Sequence, residues 1–72
     1  MKLTPRERDI YIFIVCYHDE HGYSPSLRDI CRGCYLASVN SASHYVQRLM
    51  VKGYIQYTPK IPRSIVVKET AG

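Results

Sequence analysis

Four uncharged polar residues near the middle of the chain have a spacing that suits hydrogen bonding to another molecule. At about 100° per residue, a helix places Asn40, Ser43, His44 and Gln47 on one side. The apolar residues of the same segment collect on the opposite side, and they are Val39, Ala42, Val46, Leu49 and Met50. Amide, hydroxyl and imidazole groups match the donors and acceptors of base edges in the major groove. The pattern predicts a helix that packs with one face and reads DNA with the other, and the alternative is a face that is merely solvated.

The positive charge of the chain is concentrated in its second half. The formal net charge is +4, and every Lys, Arg, Asp or Glu from Ile30 to Lys68 is basic. Because clustered cations attract phosphates, this asymmetry favours a nucleic acid as the partner. A basic surface that serves only solubility is the alternative.

Length and composition exclude several classes of protein. A chain of 72 residues makes one small domain, and its core requires most of its apolar residues. We therefore expect no enzyme, no small-molecule substrate and no cofactor. No apolar run is long enough for a membrane span or a signal peptide, so we predict a cytoplasmic protein without a membrane partner.

Two cysteines form a C-x-x-C motif, Cys31 and Cys34, which raises the question of metal or redox chemistry. A zinc site needs about four ligands, and the chain has no second such motif. Both cysteines fall on the apolar side of a short predicted helix, so the sequence favours packed, reduced thiols and no metal. A thiol-based sensor remains the alternative, because oxidation there would disturb the neighbouring helices.

Capping boxes mark the starts of two helices that precede the polar segment. Thr4 and Glu7 begin the first helix, which is expected to end near His21. The motif of residues 26–29 begins the second helix, which is predicted to run over Leu27–Gly33.

A third helix is predicted from a Ser38 cap to Gly53. A short helix, a tight turn and a longer amphipathic helix form a helix-turn-helix, the unit that places its second helix in the major groove.

The segment after Gly53 predicts a β-hairpin. Residues 54–58 and 64–68 are rich in aromatic and β-branched side chains, and they flank a loop with two prolines and two cations, Lys60 and Arg63. Three helices and such a hairpin make a winged helix-turn-helix, mainly α with a small β-hairpin. We expect one domain over residues 1–72, with residues 69–72 as a frayed tail.

Five motifs of this chain recur together in one known family. They are LTPR at 3–6, GYSPSLRDI at 22–30, LAS at 36–38, LMVKGYI at 49–55 and PKIPRSI at 59–65. In order and spacing they resemble the N-terminal DNA-binding domain of LexA-type repressors, over residues 3–68. The resemblance implies a winged helix that binds operators of damage-response (SOS) genes. The family's C-terminal peptidase domain, which supplies dimerisation and self-cleavage, is not expected in this sequence.

The resemblance also implies which residues contact bases. The matching positions lie at the start and along the exposed face of the third helix, and they are Ser38, Asn40, Ser41, Ser43, His44 and Gln47. Several of these side chains differ from those of the family, so the operator need not be the family's usual one. Tyr35 stands in the turn where the family commonly has Gly, and Cys34 where it has an aliphatic residue.

Basic residues of the second helix, the third helix and the hairpin loop are the predicted phosphate contacts. They are Arg28, Arg48, Lys52, Lys60 and Arg63. For Arg48 and Lys52, simple solvation is an equal alternative.

The sequence thus predicts a transcriptional regulator that binds double-stranded DNA and acts as a repressor. Because one small domain covers few base pairs, we expect a homodimer on the operator or cooperation with another protein. The alternatives are a winged helix that binds and modulates another repressor, and an architectural DNA binder without sequence preference.

Overall fold

Three helices and a short hairpin follow one another in the computed structural model, which describes residues 2–68. The elements are α1 (Pro5–His21), α2 (Leu27–Gly33), α3 (Val39–Val51), β1 (Ile55–Gln56) and β2 (Val66–Val67). This is the predicted winged helix-turn-helix. The predicted tail at 69–72 lies outside the described residues. In the described part of the chain, no helix is long and apolar enough to cross a membrane.

Reciprocal hydrogen bonds fix the first turns of α1 and α2. The backbone N–H of Glu7 donates to Thr4 Oγ1 (3.2 Å), and the Thr4 N–H donates to Glu7 Oε1 (2.9 Å). Ser26 and Asp29 exchange the same pair of bonds, each at 3.1 Å. These bonds satisfy N–H groups that have no partner within the helix, which is why the sequence predicted both starts correctly.

One apolar core joins the three helices to the hairpin. Its buried members are Ile10, Ile14, Ile30, Cys34, Ala42, Val46, Leu49, Ile55 and Ile65. Val39 departs from the predicted apolar face of α3, because this residue stands at the first helical position and is 41% exposed.

Gly33 allows α1 and α2 to approach closely. A Cβ atom at this position would lie 2.2 Å from Cε1 of Phe13. The ring of Phe13 therefore occupies the space that a side chain on α2 would need.

The hairpin is shorter than the sequence predicts. Its ladder pairs Ile55 with Val67 and Gln56 with Val66. Beyond it, the Ser64 hydroxyl accepts from the Thr58 N–H (3.1 Å) and donates to the Thr58 carbonyl (2.8 Å). A side chain thus satisfies the backbone groups that a longer ladder would have paired, and this ends the two strands early.

Candidate nucleic-acid interface

The face of α3 that points away from the core carries the predicted base-reading side chains. Asn40, His44 and Gln47 are exposed, whereas Ser41 and Ser43 are half-buried. Within residues 2–68, the three exposed side chains form no hydrogen bond with another protein group. Their donors and acceptors are therefore available to a ligand that docks along α3.

Ser38 has a local role at the start of α3. Its hydroxyl oxygen accepts from the Ser41 N–H at 3.4 Å and caps the helix. The exposed hydroxyl keeps its own hydrogen to donate, so capping and base contact are compatible.

A shallow recess continues this face toward the C-terminal end of α3. It is lined by His44, Gln47, Arg48, Val51 and Lys52. Two predicted base contacts and two predicted phosphate contacts thus share one surface.

A buried carboxylate lies behind Arg48 and Lys52. The side chain of Glu7 is 2% exposed, and its two oxygens accept from different cations. Arg48 Nε donates to Oε2 at 2.6 Å, and Lys52 Nζ donates to Oε1 at 2.5 Å. The hydrogen bond from Lys52, followed by those from the Thr4 backbone and Arg48, lowers the pKa of Glu7 to about 2.

The sequence analysis assigned Glu7 only to the cap of α1 and missed this cluster. One signal was present, because Arg48 and Lys52 lie four residues apart on a helix that carries no acid of its own. Their partner is more than 40 positions away in the chain, and only helix packing brings it close.

The two cations of the cluster differ in what they can still bind. The Lys52 side chain is 12% exposed, and its ammonium also donates to the Lys2 carbonyl at 3.0 Å. The Arg48 side chain is 49% exposed, and in the described residues its two Nη groups have no protein partner. The phosphate contacts of Arg48 and Lys52 stay predictions. The burial of Lys52 argues against its contact, whereas Arg48 remains accessible.

Arg63 ties the hairpin loop to the segment that joins α1 and α2. Its Nη1 lies 3.1 Å from both Asp29 Oδ2 and the Ser24 carbonyl oxygen, and 3.3 Å from the Tyr17 hydroxyl. The guanidinium also lies over the ring of Tyr23, 4.7 Å from its centroid. Its predicted phosphate contact stays a prediction, and the geometry assigns Arg63 a structural role as well.

The other two predicted phosphate contacts meet in one groove. Arg28 and Lys60 are both exposed, and together with Val39 and Ile61 they line the groove between the helices and the hairpin loop. Neither cation pairs with an acidic side chain anywhere in residues 2–68. Their full charge is available to an anion.

The turn between α2 and α3 contains an unusual residue. Tyr35 has a φ of 56°, in the left-handed region that favours glycine, and the residue is 92% exposed. The Leu36 N–H donates to the Cys31 carbonyl at 2.9 Å across this turn. The helix-turn-helix geometry is thus formed with a tyrosine at the position where the sequence analysis noted a departure from glycine.

The cysteines of the C-x-x-C motif are free thiols on the inner side of α2 and its cap. Cys31 Sγ donates to the Leu36 carbonyl at 3.3 Å, and Cys34 is buried in the core, where burial raises the pKa of its thiol. Over residues 2–68, no group of three or more His, Cys, Asp and Glu side chains could hold a metal ion.

Comparison with known proteins agrees with this fold. The family model for the LexA DNA binding domain matches residues 1–64. The LexA repressor of Carboxydothermus hydrogenoformans is 40% identical over 63 residues, which are 88% of this chain and 31% of the relative. The LexA repressor of Bacillus mycoides is 42% identical over 66 residues, 92% of this chain and 32% of the relative. The chain spans about a third of the length of these relatives. With the fold, the motifs and the family model in agreement, the chain belongs to the LexA DNA-binding domain family.

Proposed function

We propose that this domain binds double-stranded operator DNA with sequence specificity and acts as a transcriptional repressor. The observation that carries the proposal is the exposed face of α3, on which Asn40, His44 and Gln47 present uncharged donors and acceptors without protein partners. Its relatives are LexA repressors, which supports the same function. We place its action in the cytoplasm, together with its DNA ligand.

Reading would take place with α3 in the major groove. Asn40 and Gln47 are suited to bidentate contacts with adenine, and His44 can bond to several base edges. Ser38, Ser41 and Ser43 would add contacts at the flank of the helix, where the serine hydroxyl can donate or accept. None of these side chains is a Lys, Arg, Asp or Glu. The operator sequence would therefore be selected by amide, imidazole and hydroxyl groups.

Cations on both sides of α3 would fix the register on the DNA backbone. Arg28 and Lys60 lie together in the groove beside the hairpin loop, and Arg48 lies in the recess at the other end of the helix. Backbone contacts of this kind position a protein without selecting sequence. Lys52 and Arg63 would act mainly through the fold, since their charged groups already bind within the domain.

Useful affinity from so small a domain requires a second binding event. We propose that two copies occupy a two-fold operator, or that a further protein binds beside one copy. Occupation of a promoter would then exclude polymerase, and damage-response genes are the proposed targets.

Selection of bound duplexes from a randomised DNA library tests this function. Enrichment of one motif is the expected result, and simultaneous change of Asn40, His44 and Gln47 to alanine is expected to abolish the enrichment. His18→Ala is the matched control, because this histidine is exposed near the far end of α1. Binding without enrichment at low salt would contradict the proposal and favour an architectural DNA binder. An absence of any binding would contradict it in favour of a protein partner.

A further inference from the structure

We propose that Glu7 is a positioning residue for DNA binding, which orients the Arg48 guanidinium so that its outer N–H groups meet a backbone phosphate beside the bases read by α3. This inference rests on the proposed function. Glu7 itself touches no DNA in this arrangement, because its side chain is buried beneath α3.

The geometry of the guanidinium carries the first step. Glu7 Oε2 accepts from Arg48 Nε at 2.6 Å. Because a guanidinium is planar and rigid, a bond that fixes Nε also fixes the plane in which Nη1 and Nη2 lie. Those two groups remain on a side chain that is half exposed, and a pair of parallel N–H donors matches two oxygens of a phosphate.

The second step is that the carboxylate is itself held. Glu7 Oε1 accepts from the Thr4 N–H at 2.9 Å and from Lys52 Nζ at 2.5 Å. The first of these bonds belongs to the cap of α1, and the second to the end of α3. Oε2 therefore has a defined place from which to orient Arg48, whereas an exposed carboxylate would move with its rotamers.

The third step is the location of Arg48. It lines the same recess as His44 and Gln47, so a phosphate bound there would lie next to the groove that these residues read. An arginine held in advance loses less side-chain freedom on binding than a free one, which corresponds to about a two- to tenfold gain in affinity.

Glu7→Gln separates this role from the other bonds of Glu7. A glutamine oxygen at the place of Oε1 can still accept from Thr4 and Lys52, and Gln is compatible with a capping box. Its amide nitrogen would then replace Oε2 and oppose Arg48 Nε, which is also a donor. The substitution releases Arg48 and raises the net charge of the domain by one.

A double-mutant cycle on the selected duplex tests the inference. Dissociation constants are measured for the wild type, Glu7→Gln, Arg48→Ala and the double variant, below the unfolding temperature of each. We expect Glu7→Gln to weaken binding by about two- to tenfold and to cause no further loss when Arg48 is already alanine. The change in net charge alone would make Glu7→Gln bind DNA more tightly, because the variant is more positive than the wild type.

Two results would overturn the inference while leaving the proposed function intact. One is Glu7→Gln binding as tightly as the wild type or tighter. The other is that Glu7→Gln weakens binding equally in the wild type and in Arg48→Ala. That result would show that Glu7 acts through the stability of the fold and not through Arg48. A wild type that selects no sequence would instead overturn the proposed function together with this inference.

Salt dependence supplies an independent readout for the phosphate. Arg48→Ala should reduce the slope of log affinity against log salt by about 0.9 for each copy bound, and Glu7→Gln should change it much less, since the released cation remains nearby. Arg48→Lys should not restore wild-type affinity, because an ammonium cannot bond to Glu7 and present a separate planar donor pair. Arg8→Ala, an exposed cation on α1, is the matched control for charge. An unchanged slope in Arg48→Ala would overturn the phosphate contact.

Discussion

Tyr35 occupies a left-handed backbone conformation, which glycine adopts freely but most residues with a Cβ atom adopt at a cost of about 1 kcal/mol or more. We therefore expect Tyr35→Gly to raise the free energy of unfolding by about 1 kcal/mol, as measured by urea denaturation. The residue is 92% exposed, so removal of its side chain loses little packing. Tyr35→Ala is the control, because it removes the ring and keeps Cβ. An equal gain in both variants would assign the effect to the ring and contradict the backbone explanation.

Glu7 makes a pH-dependent contribution to stability whose sign follows from its pKa. The pKa is about 2 in the folded domain and 4.5 for the unperturbed group. Above pH 4.5 both states are ionised and the stabilisation is complete, and it is lost as the pH falls toward 2. We expect the melting temperature of Glu7→Gln to depend less on pH over this window than that of the wild type. If the melting temperature of Glu7→Gln depended on pH as strongly as that of the wild type, the ion-paired state of Glu7 would be contradicted.

At the scale of the elements, Gly33 sets how closely α1 and α2 pack. Replacement of a helical Gly by Ala usually stabilises by about 1 kcal/mol, whereas overpacking of a core costs about 1 to 3 kcal/mol. With a Cβ at 2.2 Å from the Phe13 ring, we expect Gly33→Ala to lower the free energy of unfolding. Calorimetry or denaturant unfolding measures the change. In a Phe13→Leu background the same substitution should be tolerated, and a loss of equal size there would contradict the proposed clash.

How far the sequence predicts each element depends on how local its determinants are. Capping pairs three residues apart predicted where α1 and α2 begin, and glycine predicted where α1 ends. The early end of the hairpin was missed, because it depends on a Ser64 hydroxyl that bonds across the loop to Thr58. The exposed polar face of α3 follows from helical periodicity, and its contacts with DNA stay predictions.

The ion-pair cluster of Glu7 was beyond prediction for a physical reason. Glu7 is 41 positions from Arg48 and 45 from Lys52, and no periodicity connects it to these two cations. The same holds for Arg63, whose partners lie in α1, α2 and the segment between them. Basic residues read from sequence as phosphate contacts can therefore be cations that the fold already uses.

At the scale of the whole molecule, the slope of log affinity against log salt should report how many cations contact DNA phosphates. Arg28, Arg48 and Lys60 are the three we assign to phosphates, so each bound copy should contribute a slope of about −2.7, and two copies about −5.4. Lys60→Gln is expected to reduce the slope by about 1 per copy, with the stability of the domain unchanged. Fluorescence anisotropy at several salt concentrations measures the slope for the wild type and for the variant, and thermal denaturation measures the stability. A Lys52→Gln variant with the same reduction would contradict the division between external and internal cations.

The hydrogen bond from Lys52 to the carbonyl of Lys2 has a practical consequence for handling this domain. It holds Lys2 beside the C-terminal end of α3, next to the surface proposed to meet the duplex. A purification tag or fluorescent reporter joined ahead of Lys2 would begin close to that surface, and its charges would affect the measured affinity. Removal of such a fusion before titration is therefore part of a sound assay, and a label on the exposed side of α1 is the better choice for following operator binding.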